Sequence, residues 1–143
     1  MMDGAPWEMQ FNLEPGSLNR LMPMHACVSV TGHIMACGPT LTKLSPDRRM
    51  IGRPFFDLFE IRRPGGITTL SDLQRRAGER LYLNLRNQHS PGLRGIAMPL
   101  AEGQGMLLNL SFGIAIIDAV RDHGLTDADF AATDLAIELL YLV

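Results

Sequence analysis

The pattern of residues predicts an α+β domain built on an antiparallel sheet, and three observations carry that prediction. Residues 24–30 alternate in period two, with Met24, Ala26, Val28 and Val30 on one side and His25, Cys27 and Ser29 on the other; this is the pattern of a strand with one dry face. Three more runs of the same kind, residues 80–85, 93–100 and 106–112, follow one another at meander spacing. Between the hairpin and the meander lie only short helical stretches broken by Gly and Pro. Strands, then short helices, then strands is the order of an antiparallel α+β sheet.

Each element can be justified in turn. Residues 1–16 read as a tail, punctuated by Pro6, Pro15 and Gly16, in which Trp7, Met9, Phe11 and Leu13 alternate. Ser17 is placed to cap a short helix over 18–22 that Pro23 ends. Thr31-Gly32 turns the first strand into a return strand at 33–37, which Gly38-Pro39 closes. Residues 40–44 read as one helical turn, and 50–59 as helical turns around the break at Gly52-Arg53-Pro54. A short strand over 59–63 ends at Pro64-Gly65-Gly66, and Thr69 or Ser71 caps the helix that follows. In the meander, Leu81, Leu83 and Leu85 share one face, as do Met106, Leu108, Leu110 and Phe112. Residues 118–123 form a helical turn ended by Gly124, and Thr126-x-x-Asp129 is a capping box with Asp in place of Glu. The last helix starts near Thr133. The expected organisation is a tail over 1–16, a core over 17–118, and a connector with a signalling helix over 119–143.

Composition narrows the function classes. With 143 residues and 15.8 kDa, the chain has the size of one domain. A net charge of −2 lacks the basic footprint of a nucleic-acid module. No apolar run reaches the ~18 residues of a membrane span, and Asp3 stands where a signal peptide needs basic residues. A cytoplasmic location without nucleic-acid or membrane partners is expected. Two cysteines, Cys27 and Cys37, do not make a disulfide scaffold and are expected as free thiols. With a two-residue turn their sulfurs face opposite sides, and with a three-residue turn they stand opposite one another.

The last helix stands out. Leu135, Leu139 and Val143 fall on one face, Ala136 and Leu140 on the next, and only Asp134, Glu138 and Tyr141 interrupt the apolar surface. No Gly, Pro or basic residue closes it. So apolar a helix must bury itself. It is expected to run on into a longer protein or to pair with a second copy. Leu135, Leu139, Leu140 and Val143 are the expected dimerisation and coupling residues.

A hairpin, a patch of short helices and a three-stranded meander feeding an exit helix is also the order of elements in PAS domains. The blocks Leu21-Met22-Pro23-Met24-His25, Gly38-x-x-Leu41-x-x-Leu44, Gly52-Arg53-Pro54, Leu58-Phe59-x-x-Arg62-Arg63-Pro64 and Leu107-x-x-Leu110-Ser111-Phe112-Gly113 resemble the haem-NO-binding-associated (H-NOX-associated) family. The tail from Leu125 to Val143 carries the most specific part of the likeness. The sequence departs from the family at Met22-Pro23-Met24-His25, where an aromatic-Pro-Phe-His start is usual. It departs again at Ser29-Val30-Thr31-Gly32, where an acidic turn is usual, and at Ala132, where Pro is common. The resemblance implies a PAS-like, five-stranded antiparallel sheet with short helices on one face and a C-terminal exit helix. It implies no catalysis and no cofactor. It also implies a homodimer or a heterodimer with a related PAS domain, coupled to a nitric-oxide (H-NOX) sensor and to a C-terminal output domain such as a diguanylate cyclase/phosphodiesterase, a histidine kinase or a nucleotide cyclase.

Other residues bear on chemistry. His25 sits in a family motif and is expected to be structural, with one ring nitrogen on the backbone, because no partner lies at metal-ligand spacing. No metal or catalytic residue is expected: there is no Cys-x-x-Cys, no His-x-x-x-His, no phosphate-cradling Gly-rich loop and no nucleophile elbow at Ser111. The pairs Arg48-Arg49, Arg62-Arg63 and Arg75-Arg76 read as solvated faces. The alternative function is a small-molecule or haem sensor whose pocket is lined by Phe55, Phe56, Phe59, Tyr82 and Met98.

Overall fold

The computed structural model describes residues 11–47, 49–86 and 91–140. In chain order the elements are α1 (Pro15–Leu21), β1 (His25–Val28), β2 (Ile34–Cys37), α2 (Pro39–Lys43), α3 (Phe55–Leu58), β3 (Phe59–Arg63), α4 (Leu70–Arg75), β4 (Leu81–Leu85), β5 (Leu93–Pro99), β6 (Met106–Ser111), α5 (Ile116–His123) and α6 (Leu135–Leu140). The six strands form one antiparallel sheet in the order β2-β1-β6-β5-β4-β3. The first hairpin therefore lies beside the last strand of the meander.

The strand count corrects the expected five to six. Phe59 and Ile61 alternate with Glu60 and bury on the core side, while the β3 backbone pairs with β4 from Phe59↔Leu85 to Arg63↔Tyr82. A segment with period-two burial beside an unpaired strand edge satisfies both its side chains and its backbone by joining the sheet.

One face of the sheet carries the core. Ala26, Val28, Leu81, Leu83, Ala97, Met106 and Leu108 are essentially inaccessible. The short helices add Leu41, Phe55, Leu58 and Leu73 to the same cluster. Phe55 stacks on Phe59 with ring centroids 4.8 Å apart. Packing continues past residue 118, because Ala119, Leu125 and Phe130 belong to this core and Phe130 meets Phe112 edge-on.

Local chemistry moved several boundaries. α1 begins at Pro15 rather than after Ser17, because Pro supplies a helical φ and lacks the N–H that the first turn would leave unpaired. Of the two caps considered for α4, Thr69 is the one used: it forms a full capping box with Asp72. Val30 is exposed, since β1 stops at Val28 and residues 29–33 make a turn tied by Ser29, Thr31 and His33. α5 ends at Gly124 in the left-handed conformation, and α6 starts at Leu135, after a turn over 131–134. The turn at Asp127–Asp129 is anchored to α2, with Lys43 Nζ 2.9 Å from the Asp129 carboxylate and Thr40 Oγ1 donating to the Asp129 carbonyl.

Candidate functional site

The second face of the sheet is the distinctive surface. Register places its residues in rows. Ala36, Cys27, Leu107 and Met98 form one row across β2, β1, β6 and β5. His25, Asn109 and Ile96 form the next. Ser111, Arg94, Tyr82 and Arg63 form a third, across β6, β5, β4 and β3. The surface thus runs from an apolar end to a cationic end.

On β5 the usual size pattern is inverted. After the buried Leu93 the core-facing positions are Gly95 and Ala97, while after Arg94 the outward positions are Ile96 and Met98, which remain 40% and 48% exposed. Gly95 is small because a Cβ there would overlap the carbonyl oxygen of Asn109 on β6. Close approach of the two strands therefore dictates the small residue, and nothing on the core side explains the large outward ones.

The cationic row is organised around Tyr82. The Arg63 guanidinium lies over its ring, 4.5 Å from the centroid. A hydrogen bond from Arg80, followed by the charges of Arg80, Arg63 and Arg94, holds the Tyr82 phenol below its ordinary pKa. None of these three arginines forms an ion pair with a carboxylate among the described residues.

A groove of about 480 Å³ opens where this row meets the chain ends. It is lined by Arg94, Asn109 and Ser111 of the sheet, by Leu21 and Met22 at the end of α1, and by Phe130, Thr133 and Leu135 from the chain's last segment. Gly113 has a φ of +59°, and a Cβ there would come within 2.8 Å of Arg94 Nε. The guanidinium thus rests against bare backbone. Leu135 sits at the rim, 63% exposed.

The residues singled out from the sequence fall as follows. His25 lies on the outward face but is covered, only 2% exposed, and its Nδ1 is 2.8 Å from the Met22 carbonyl oxygen. The turn after α1 hides a position that alternation alone assigns to solvent. Cys27 pairs with Ala36, so the two sulfurs face opposite sides of the sheet. Both thiols are free, and burial pushes the Cys37 thiol up to about 11. Leu135 is exposed. Val143 and the side chains of Leu139 and Leu140 lie outside the described residues. The five residues expected to line one pocket are not brought together. Phe55 and Phe59 are packed into the core with Phe56 against them, whereas Tyr82 and Met98 stand on the opposite face. A one-residue offset in strand parity separates the two sets.

Arg94, Ile96 and Asn109 were not singled out from the sequence. The inverted size pattern on β5 was the signal that could have found them. Among the described residues, no three His, Cys, Asp or Glu side chains converge as metal ligands, and no helix is long and apolar enough to cross a membrane. The chain matches no known family profile and no curated protein.

Proposed function

We propose that the chain is a non-catalytic regulatory module of PAS-like fold, which pairs with a second copy through its outward sheet face and passes a signal through α6. In this reading the input is a nitric-oxide sensor domain of the H-NOX type, and the output is a cyclase, phosphodiesterase or kinase domain. The element order supports the fold: hairpin, short helices, meander, exit helix. The resemblance in the segments around residues 21–25, 38–44 and 125–143 supports the family.

The observation that carries the pairing is the outward apolar strip of Ile96 and Met98, both exposed, with the half-buried Leu107 paired beside Met98. Strips of this kind mark interaction surfaces. A twofold axis near Met98 sets like strip against like strip. It also separates the cationic rows. Arg94 lies four residues along β5 from Met98, about 13 Å. The two copies of Arg94 would then be about 26 Å apart, beyond the screening length of about 8 Å. Two arrangements of the pair differing by about 1.4 kcal/mol shift tenfold in population, and that is the scale of signal α6 would carry.

Sedimentation of the wild type against an Ile96→Asp/Met98→Asp variant tests this. Each apolar side chain contributes roughly 1.5–3 kcal/mol on burial, so the double variant should weaken self-association by about 100-fold or more. A wild type that remains monomeric at high concentration would overturn the pairing.

A further inference from the structure

The groove at the foot of α6 has chemistry that an apolar pairing face does not use. We infer that it is a binding site for a small monocarboxylate with an apolar body, held by Arg94, Ser111 and Asn109.

Arg94 is a fixed cation without a counter-ion among the described residues. Lys43, Arg75, Arg76 and Arg121, by contrast, are each paired with a carboxylate. Its one charged influence is on the Tyr82 phenol. Gly113 lacks the Cβ that would occupy the guanidinium's place, so the Arg94 side chain packs against the Gly113 backbone. Directly across the ladder from Arg94 is Ser111, and Asn109 follows it on the same face. Neither side chain has a hydrogen bond among the described residues. A planar guanidinium matches a carboxylate with two parallel N–H···O bonds. The hydroxyl and the amide supply further donors to the same two oxygens.

The walls choose the rest of the ligand. Leu21, Met22 and Leu135 line the groove beside the polar residues, together with Phe112, Ile116 and Phe130 from the edge of the core. A volume of about 480 Å³ lies within the usual range of small-molecule sites, about 300–1,000 Å³. One guanidinium beside apolar walls suits a singly charged group and disfavours a phosphate dianion. The groove is lined both by outward residues of the sheet (Arg94, Asn109, Ser111) and by core residues such as Phe112 and Phe130, and neither Phe55 nor Phe59 lines it.

Titration calorimetry and amide NMR on the whole chain test the assignment, with 3-phenylpropanoate as probe and 3-phenylpropanamide and inorganic phosphate as comparisons. Saturable binding of the carboxylate is expected, with shifts at residues 94, 109–111 and 135. The neutral amide and phosphate should each bind at least about tenfold more weakly. Arg94→Gln should weaken the carboxylate by about tenfold or more, and Arg75→Gln should leave it unchanged. Ser111→Ala, a smaller change that keeps Arg94 in place, should weaken it about fivefold. Absence of saturable binding, equal affinity for carboxylate and amide, or full affinity in both Arg94→Gln and Ser111→Ala would overturn the proposal.

Discussion

Gly95 decides how closely β5 approaches β6. A side chain there meets the Asn109 carbonyl oxygen, which is rigid backbone and cannot move without breaking the ladder. Gly95→Ala should therefore cost about 3 kcal/mol, measured by urea denaturation. Gly65, where nothing lies within 4 Å, is the control; Gly65→Ala should stay within about 0.5 kcal/mol. Beside the small Gly95 and Ala97 on the core side, Ile96 and Met98 stand outward and exposed. At this scale the sequence was legible in kind but not in side. His25 was read correctly as a backbone-bonded residue, yet alternation placed it in solvent, and only the turn at Met22 covers it.

A local capping signal sets the start of α4, at one of the two caps the sequence offers. The capping box Thr69/Asp72 starts α4, with Asp72 also held by the Thr68 N–H and by an ion pair with Arg75. Thr69→Ala should destabilise the domain by about 1 kcal/mol in thermal or urea melts. Hydrogen bonds, first from Thr68 N–H and then from the Thr69 hydroxyl, hold the Asp72 carboxyl below its ordinary 3.8. The folded-state value is the lower one, so the stability Asp72 adds is present above about pH 4 and lost as pH falls through that lower value. The gap in melting temperature between wild type and Asp72→Asn should accordingly be largest near neutrality and close in acid. A gap that persists unchanged at pH 2 would assign the effect to something other than the carboxylate charge. β3 shows where local signal falls short: its alternation marks a strand, but only the free edge of β4 decides that it becomes the sixth of the sheet.

Across the whole molecule, α6 is tied to the body by Phe130 in the core and Asp129 on Lys43 and Thr40 in the segment before it, and by Ile137 of the helix itself, packed against the core. Leu135 itself is exposed at the groove. Leu135→Asp should change the stability of the isolated fold by less than about 0.5 kcal/mol, since the side chain is mostly in water already. It should nevertheless weaken self-association, if α6 is part of the pairing surface, as read by sedimentation against the wild type. A loss of stability with unchanged association would place Leu135 in the fold rather than in coupling.

By itself the sequence determined the α+β class, the antiparallel hairpin and meander, the turns, and most of the inward-facing leucines, because each depends on period-two alternation or on Gly, Pro and cap chemistry within a few residues. Tertiary structure decided which strands became neighbours, that the sheet has six, that Phe55 and Phe59 face away from Tyr82 and Met98, and that Arg63, Tyr82, Arg94 and Ser111 stand in one row. The physical reason is that strand pairing joins residues tens of positions apart through backbone hydrogen bonds that any side chain permits, so register across strands leaves no mark in local pattern.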